Sequence, residues 1–305
     1  MFIRQLKYLV TLADLGHFSR AAEACHVSQP ALSTAIRNLE KELELNLVRR
    51  GRNYEGLTAE GERVVGWAQQ LLSSYEAMRQ ETVSAHKNLS GTLRIGAIPT
   101  TMPVVPFLTT PCQEEYSEIK VTVLSLSSNE IVRRLDNCDI DLGLTYLDDK
   151  SLSGFQLYPL FVERYVLVAR NEAIFEGRES IDWREAASLP LCLLTRNMQS
   201  RRIIDAAFRK AGATPRIRVE TDSIFALYAQ LRCSDLCAVV PHSVLSLIEL
   251  RQEIAVLPIT PHLSREIGLI TRKQPPYPPV TAAALGMALK VPLQARFDSL
   301  ITGPY

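Results

Sequence analysis

The sequence has no run of about 18 uncharged apolar residues, the length that a helix needs to cross a bilayer. Its start also lacks the charged-then-apolar pattern of a secretion signal, so we expect a cytoplasmic protein. With 47% hydrophobic and 22% charged residues, it is not a largely disordered or collagen-like chain. Its 305 residues correspond to about two domains of ordinary size.

Familiar catalytic and metal-binding motifs are also missing. The sequence contains no GxxxxGK, GxGxxG, HExxH or GxSxG pattern, and its five histidines are scattered. Asp139 and Asp141 are spaced like paired carboxylates, but they flank the start of a predicted strand, which favours a structural role. We therefore predict no catalytic residue, no metal site and no cofactor.

Cysteine shows no paired spacing. Six cysteines occur without a CxxC motif, and in the absence of a secretion signal the reduced thiol is the expected state. Cys233 and Cys237 are the only close pair. Ordinary core or near-surface thiols are favoured for this pair, and a redox or metal role is the alternative.

An excess of charge of one sign is absent, because 34 Lys and Arg residues face 33 Asp and Glu residues. The formal net charge of +1 therefore indicates neither a nucleic-acid partner nor its absence. Any case for DNA binding has to rest on where the basic residues lie.

The first sixty residues contain three helical patterns. Apolar residues at positions 2, 6, 9, 10 and 13 form one face of a first helix, which Gly16 can end in the left-handed conformation. A second helix follows over Arg20–Cys25, with a tight turn at His26-Val27. Ser28 is a good N-cap for a third helix, which is predicted over Gln29–Leu43.

The third helix has two distinct faces. Its apolar stripe consists of Leu32, Ile36, Leu39 and Leu43. Its opposite face carries Pro30, Ser33, Thr34, Arg37 and Lys41. Short side chains let a helix sit deep in a groove while Arg and Lys reach bases or phosphates, so the pattern predicts a helix-turn-helix. A small helical bundle with a solvated polar face is the alternative on periodicity alone.

The next segment favours the DNA-binding interpretation. Residues 47–58 contain two short extended runs around a Gly/Asn turn, with Arg49, Arg50 and Arg52 close together. A basic hairpin after a recognition helix is typical of a wing that lies along phosphates or enters the minor groove. A basic run by itself is usually a solvated loop, but this position indicates DNA contact.

Residues 3–62 resemble the winged helix-turn-helix of the LysR-type transcriptional regulators. The matching stretches are Phe18-Ser19-Arg20-Ala21-Ala22-Glu23, Val27-Ser28-Gln29-Pro30-Ala31-Leu32-Ser33, Ile36-Arg37-Asn38-Leu39-Glu40 and Leu57-Thr58-Ala59-Glu60-Gly61. The family often has Phe at Val48 and Gly at Glu44-Leu45, which are positions of packing and of a turn. The resemblance implies a DNA-binding domain over residues 1–58. Together with the wing, it gives these candidate DNA-binding residues: Gln29, Pro30, Ser33, Thr34, Arg37, Arg50 and Arg52.

A long helix is predicted next, over residues 59–89. Its repeat of apolar or small residues alternates in steps of four and three, as in a coiled-coil seam. The repeat consists of Val64, Ala68, Leu71, Tyr75, Met78, Thr82, Ala85 and Leu89. A helix of roughly 46 Å, at 1.5 Å per residue, exceeds the domain before it, so we predict a dimer seam. Packing along its own domain is the alternative. In the LysR-type family this linker helix pairs two DNA-binding domains.

The remaining residues, 90–305, are predicted to form an α/β domain. Buried strand patterns alternate with helical ones. The strands are predicted at 93–97, 119–126, 140–146, 165–170, 190–195, 217–221 and 236–240. The later helices are predicted at 201–211, 223–232 and 277–300.

The LysR-type resemblance implies that this α/β domain binds an effector and has two lobes, like periplasmic solute-binding proteins. We place lobe I at about 90–161 and 267–305, and lobe II at about 162–266. The chain crosses between the lobes near 160–164 and near 264–268.

A ligand in such a domain lies between the lobes, where strands end and helix N-termini offer free N–H groups. Three segments with hydroxyl side chains meet this condition: Pro99-Thr100-Thr101, Ser127-Ser128-Asn129 and Thr195-Arg196-Asn197. Thr100 matches the family's effector position after the first strand. Ser127 with Glu130 also fits a capping box, so a purely structural role is its alternative. Arg196 is either a solvated loop charge or a partner for a ligand carboxylate.

The sequence therefore predicts a ligand-responsive, DNA-binding transcriptional regulator that is not an enzyme. Its predicted partners are promoter DNA, a small-molecule effector and further copies of the chain, in a dimer or a tetramer; the family also suggests RNA polymerase. Residues 189–195 and 201–205 resemble those of regulators found beside formate-dehydrogenase genes, which points to a small organic anion as effector. A soluble α/β enzyme or solute carrier with a helical appendage is the alternative.

Overall fold

The computed structural model describes residues 1–50, 54–84, 89–170, 175, 177–247, 254–273 and 277–302. For Arg50, residues 80–84 and Thr302, the description covers the backbone alone. Within these ranges no helix is long and apolar enough to cross a membrane. The chain forms two compact units, one built mainly from Met1–Leu89 and the other from most of the residues that follow.

The first unit is a three-helix core with a wing and a long helix. Its elements are α1 (Ile3–Leu15), α2 (Phe18–Ala24), α3 (Gln29–Leu43), β1 (Val48–Arg50), β2 (Tyr54–Leu57) and α4 (Ala59–Ser84). The two strands pair antiparallel. The predicted winged helix-turn-helix is confirmed.

Local chemistry sets the boundaries of these helices. Gly16 ends α1 at φ +64°, a left-handed conformation that costs glycine little. Ser28 caps α3 by accepting a hydrogen bond from the Ala31 N–H at 3.3 Å. Glu44 ends α3 at φ +55° although it has a Cβ. The family resemblance marks that position as one that often holds glycine, and the left-handed backbone is the physical reason.

The recognition helix α3 also holds the wing. Glu40 Oε1 accepts hydrogen bonds from the N–H groups of Leu47 and Val48 at 3.0 and 3.1 Å. Both of these residues are buried in the same core as Leu32 and Ile36 of α3. The first strand of the wing is therefore fixed to α3 by polar and apolar contacts.

The second unit alternates strands and helices. Its strands are β3 (Gly91–Ala97), β4 (Ile119–Ser125), β5 (Leu142–Tyr146), β6 (Phe155–Ala169), β7 (Ile181–Asp182), β8 (Leu191–Leu194), β9 (Ile217–Thr221), β10 (Cys237–Pro241), β11 (Ala255–Thr260) and β12 (Ser264–Arg272). Its α-helices are α5 (Val105–Glu115), α6 (Ser128–Asp136), α7 (Trp183–Ser188), α8 (Gln199–Lys210), α9 (Ile224–Cys233), α10 (Pro279–Ala288) and α11 (Leu293–Thr302). Short 3-10 helices occupy Pro99–Val104, Lys150–Gly154 and His242–Leu247.

One sheet runs through this unit in the order β4-β3-β5-β12-β6-β10-β8-β9, with β11 beside β6 and β7 beside β11. β6 joins two lobes, because it pairs with β12 up to Arg164 and with β10 from Tyr165 onward. Parallel strands β3, β4 and β5 belong to lobe I, and parallel strands β8, β9 and β10 belong to lobe II. The predicted two-lobed α/β fold is confirmed.

The strands β7, β11 and β12 were not predicted, and two predicted elements differ clearly in their bounds. The strand predicted from Tyr165 begins at Phe155, and it continues through Pro159, which pairs with Gly268 at a register shift where a missing N–H is tolerated. The single helix predicted over 277–300 is divided into α10 and α11. Pro292 lies between them, and proline cannot supply the N–H that would continue a helix.

Candidate DNA-binding face and interlobe site

The start of α3 presents a polar face to solvent. Gln29, Pro30, Thr34 and Arg37 are exposed, and Ser33 is half-buried. Short side chains therefore lie near the start of the helix, and a cation follows about two turns later. This distribution suits a helix that enters the major groove of DNA.

The wing is described in part. Arg50 lies in β1, but its side chain and all of Arg52 lie outside the described residues. Arg49 is exposed, and its guanidinium lies 3.3 Å from the position that a Cβ on Gly56 would occupy. Burial raises the pKa of the Tyr54 hydroxyl, and the positive charge of Arg49 opposes part of that rise. Arg49 is thus a cation on the described part of the wing.

α4 carries an apolar stripe that its own domain leaves uncovered. The exposed side chains of this stripe are Trp67, Leu71, Tyr75 and Met78, at 69%, 51%, 37% and 59% accessibility. Their spacing of four, four and three residues places them on one side of the helix.

The earlier part of the predicted seam packs differently. Ala68 is buried in the core of the winged helix-turn-helix, and Val64 packs against that core. The first turns of α4 therefore serve their own domain, because they have apolar neighbours within it. Among the later positions, Ala85 and the side chain of Thr82 lie outside the described residues, and Leu89 is half-buried.

The candidate effector segment after β3 contains two buried threonines with different partners. The Thr101 hydroxyl donates to the carbonyl oxygens of Ile98 at 3.0 Å and Leu144 at 3.4 Å, which is a structural use. The Thr100 hydroxyl instead lies close enough to the phenol of Tyr146 to lower its pKa slightly, against the rise caused by burial. Thr100 is 2% exposed, and Pro99 before it is half-buried.

In the segment after β4, Ser127 caps a helix and Ser128 contacts the other lobe. Ser127 and Glu130 form a reciprocal cap, in which the Ser127 hydroxyl donates to the carboxylate at 2.7 Å and accepts from the Glu130 N–H at 3.3 Å. These bonds lower the pKa of Glu130, since they stabilise its ionised form. Ser127 and Asn129 are exposed. The capping role that the sequence left open for Ser127 is the one this geometry shows.

Ser128 is the member of that segment that reaches the other lobe. Its Oγ lies 3.1 Å from the Thr145 hydroxyl and 2.5 Å from Oε1 of Gln199, the first residue of α8. Ser128 and Thr145 both belong to lobe I and Gln199 belongs to lobe II, so the bond to Gln199 joins the lobes.

The segment after β8 makes its side-chain hydrogen bond within itself. The Thr195 hydroxyl donates to Oδ1 of Asn197 at 2.6 Å, and both Arg196 and Asn197 are exposed. The helix α8 starts at Gln199, two residues before the predicted start, and its cap residue Met198 makes no side-chain hydrogen bond. The side chains that α8 contributes to the lobe interface are therefore those of Gln199 and Ser200, rather than those of the predicted segment.

A group of buried polar side chains lies where the two lobes meet. This interlobe cluster consists of Thr100, Tyr146, Glu163, Tyr165 and Ser200. The phenol oxygens of Tyr146 and Tyr165 are 3.1 Å apart, and the Ser200 hydroxyl lies close enough to both to lower their pKa values slightly, without full hydrogen-bond geometry. The cluster draws on lobe I, on the joining strand β6 and on lobe II.

Glu163 is the one acid of the cluster, and its side chain is 0% exposed. Burial raises its pKa to about 8. The tyrosine hydroxyls and the charge of Arg265 lie close enough to oppose this rise, and Asp148 adds to it. Neither carboxyl oxygen, however, has a partner of full hydrogen-bond geometry within the described part of the chain.

Sequence reasoning missed Tyr146, Glu163, Tyr165, Gln199 and Ser200. Glu163 and Tyr165 alternate with exposed residues along β6, and a strand predicted from Phe155 would have placed both on its buried side. A charged residue on the buried side of a strand is a signal for function.

Three thiols are poorly suited to redox chemistry. Burial raises the pKa of Cys112, and it raises the pKa values of Cys192 and Cys237 to about 11. Few of these thiols are ionised near neutral pH, and the thiolate is the reactive form. Across the described ranges, no three His, Cys, Asp or Glu side chains are grouped as a metal ion would require.

The first unit is of the kind that binds DNA, and the second has the two-lobed form of an effector-binding domain. Together they define a class, the ligand-responsive bacterial transcriptional regulators. Residues 3–62 match the family model described as bacterial regulatory helix-turn-helix protein, lysR family, and residues 86–291 match the LysR substrate binding domain. The chain belongs to the LysR family of DNA-binding transcriptional regulators, as the sequence motifs indicated.

Named relatives match most or all of the chain. The DNA-binding transcriptional dual regulator OxyR of Escherichia coli (strain K12) is 28% identical over 305 residues, 99% of each chain. An uncharacterized HTH-type regulator of Bacillus subtilis, YybE, is 30% identical over 217 residues, which are 71% of this chain and 74% of that one.

Solved structures show the same architecture. A full-length OxyR from Pseudomonas aeruginosa, solved as a cysteine-to-aspartate variant, has a TM-score of 0.77 at 26% identity, and the match covers 95% of this chain and 98% of that one. Full-length CbnR in complex with its target DNA has a TM-score of 0.66 at 22% identity, over 94% and 99% of the two chains, which is a likeness of fold.

Proposed function

We propose that the protein regulates transcription in response to a small organic anion held between the lobes of its second unit. The observation that carries this proposal is the interlobe cluster, because its side chains come from both lobes and from the strand that joins them. A ligand there contacts both lobes at once. It can therefore bind one lobe arrangement better than another, which is the condition for shifting a regulator between states.

The chemistry of the cluster favours an anion. Besides Glu163, the cluster contains four hydroxyl groups that can donate hydrogen bonds, those of Thr100, Tyr146, Tyr165 and Ser200. The first N–H groups of α8 add to them, because Met198 supplies no side-chain acceptor and a helix N-terminus favours negative charge. The sequence-predicted side chains that adjoin this cluster are Thr100 and Ser128, and Arg196 is an exposed cation in the segment after β8.

DNA binding is assigned to α3 and the wing. The exposed residues Gln29, Pro30, Thr34 and Arg37, with half-buried Ser33, are proposed to lie in the major groove. Arg50 and Arg52 of the wing are proposed to contact phosphates or the minor groove. The exposed stripe of α4 is proposed to join two chains, so that two α3 helices read one promoter site. Further association into a tetramer would use the second unit.

The names of several relatives suggest a different stimulus, since some are called hydrogen peroxide-inducible genes activator. A peroxide response requires a thiol that is readily ionised and oxidised. Burial makes Cys112, Cys192 and Cys237 harder to ionise, because it raises their pKa values. Peroxide is therefore the second candidate effector. The names of the relatives support it, and the interlobe cluster does not.

Two measurements test the proposal. Footprinting on the DNA upstream of the protein's own gene should show salt-sensitive binding. A thermal-shift screen of small organic anions, with matched amines and hydrogen peroxide as separate arms, should raise Tm with an anion. Footprints that change with peroxide but with no anion would replace the proposed effector, and turnover of a metabolite without DNA binding would reject a regulator altogether.

A further inference from the structure

A buried carboxyl group without hydrogen-bond partners is the most unusual feature of the interlobe site. Glu163 is 0% exposed, and although the Tyr146 and Tyr165 hydroxyls lie near it, neither of its oxygens has a partner of full hydrogen-bond geometry within the described residues. The Ser200 hydroxyl, although close to both tyrosines, is likewise without a partner of full geometry there. Buried polar atoms in folded proteins almost always have partners, so this group has hydrogen-bonding capacity to offer a ligand.

The groups that face Glu163 decide its charge. Tyr146 of β5 and Tyr165 of β6 are themselves buried, and burial raises both of their pKa values, so they stay neutral donors. Arg265 of β12 is the cation near Glu163, and it forms a salt bridge with Asp148. The guanidinium lies 5.4 Å from the centre of the Tyr146 ring. Since the Glu163 oxygens have no partner in the described part of the chain, burial prevails and the neutral carboxylic acid is favoured near pH 7.

We infer that Glu163 recognises the effector as a neutral carboxylic acid, which donates a hydrogen bond to an anionic group of the ligand. This inference rests on the proposed function, because it specifies what the interlobe site accepts. An ionised Glu163 would repel an anion, whereas its acid form supplies one more donor to a site already lined with hydroxyl groups. The site then accepts small carboxylates and disfavours amines.

The inference predicts a pH dependence with a definite sign. An anion that binds only the protonated form should lose affinity as Glu163 ionises, which happens around pH 8. The apparent Kd for acetate or formate should then rise about tenfold between pH 7 and pH 9, because the fraction of binding-competent protein falls by that factor. A cation that pairs with ionised Glu163 would show the opposite trend.

The experiment is calorimetry with sodium formate and sodium acetate as probes, and ethylammonium chloride as the cationic arm. The full chain is titrated at several values from about pH 6 to about pH 9, as wild type, Glu163→Gln and Glu118→Gln. The amide introduced by Glu163→Gln keeps a donor and loses the ionisation, so we expect the Kd of that variant to stay within about threefold across this range. Glu118 is exposed, and its variant should follow the wild type.

Each outcome decides the inference. An affinity that increases with pH, preferred binding of ethylammonium, or the same pH dependence in wild type and Glu163→Gln would overturn it while leaving the interlobe site in place. The absence of binding by both anions at every pH would reject the anion effector of the proposed function as well.

A second measurement examines Glu163 without a ligand. Because its pKa is higher in the folded chain than the ordinary value of 4.5, the wild type should lose stability relative to Glu163→Gln as pH rises from about 5 to about 8. A constant difference in Tm between the two proteins over that range would show that Glu163 is not held in its acid form.

Discussion

Ser128 at the start of α6 and Gln199 at the start of α8 are joined by a hydrogen bond across the two lobes, with their oxygen atoms 2.5 Å apart. The same Ser128 hydroxyl group lies 3.1 Å from that of Thr145. This contact links two helix N-termini that the chain separates by 71 residues. It belongs to the lobe arrangement of this structure, and it is lost if the lobes separate at this point.

Ser128→Ala should therefore weaken effector binding if the effector binds this arrangement. A neutral hydrogen bond contributes about 0.5–1.5 kcal/mol, so the Kd should rise roughly two- to tenfold. Ser127→Ala is the matched control, because that hydroxyl bonds Glu130 within its own helix start. Calorimetry with an anion found in the screen compares the two. Equal losses in both variants would mean that capping of α6, and not the lobe contact, determines affinity.

Thr100→Val tests the interlobe cluster from the lobe I side. It removes the hydroxyl that lies beside the Tyr146 phenol and keeps the shape of a residue that is 2% exposed. We expect weaker effector binding and a stability loss of about 1 kcal/mol, since the Tyr146 phenol loses a polar neighbour.

Thr101→Val is its control, because the Thr101 hydroxyl donates to two backbone carbonyls. It should lower stability by a similar amount without a separate effect on the ligand. Calorimetry and thermal unfolding measure the two effects. Unchanged affinity in Thr100→Val would place the ligand elsewhere and leave Thr100 as a structural residue.

Sequence periodicity was sufficient for the first unit, because its helices are amphipathic and their caps are local. Ser28 and Gly16 act through residues within one turn, so their roles are visible in the sequence. The wing was found from its basic residues, but its attachment through Glu40 was not. That bond spans seven residues and depends on where α3 ends.

The interlobe site was harder to predict because it is assembled by tertiary contacts. The rule that ligands lie at strand ends located Thr100 and Ser128. It missed Glu163, since the predicted strand began two residues too late to include it. It also selected Thr195 and Asn197, which bond each other and precede the first residue of α8, Gln199.

Arg37→Ala should weaken DNA binding by about 1–3 kcal/mol if the guanidinium reads a guanine edge. Arg37 is exposed on α3 while its neighbour Ile36 is fully buried, so the variant should fold normally. Arg63→Ala is a suitable control, since that exposed arginine lies 3.3 Å from Glu60 on α4. Footprinting at several salt concentrations separates base reading from phosphate contact. Identical footprints for Arg37→Ala and wild type would reject the base-reading role.

Replacing Leu71 and Met78 together with Asp should separate the dimer. Both side chains are exposed on α4, so the charges are tolerated in a single chain but not in an apolar seam. Operator binding should be lost while the second unit still unfolds at its usual temperature. Gln70→Asp with Ser74→Asp adds the same charge beside the stripe, at exposed positions. Sedimentation showing the same oligomer for both double variants would refute the seam.

His242 should make the second unit sensitive to acid. Its ring is fully buried, its Nδ1 accepts a hydrogen bond from the Arg164 N–H at 3.1 Å, and its Nε2 lies 3.5 Å from Asp298. Burial lowers the pKa of His242 to about 4, although Asp298 opposes this effect. The folded chain therefore binds this proton less readily than the unfolded chain, whose histidine has the usual pKa of 6.5.

It follows that the stability contributed by neutral His242 is complete above pH 6.5 and is lost as pH falls toward 4. The full loss is about 3 kcal/mol, since the pKa differs by about 2.5 units and each unit corresponds to about 1.4 kcal/mol. His242→Asn can keep an acceptor for the Arg164 N–H and cannot be protonated in this range, so its unfolding free energy should decline less between these two pH values. Denaturant unfolding of both proteins along this pH series measures the difference. Parallel curves for wild type and His242→Asn would assign the acid sensitivity to other groups.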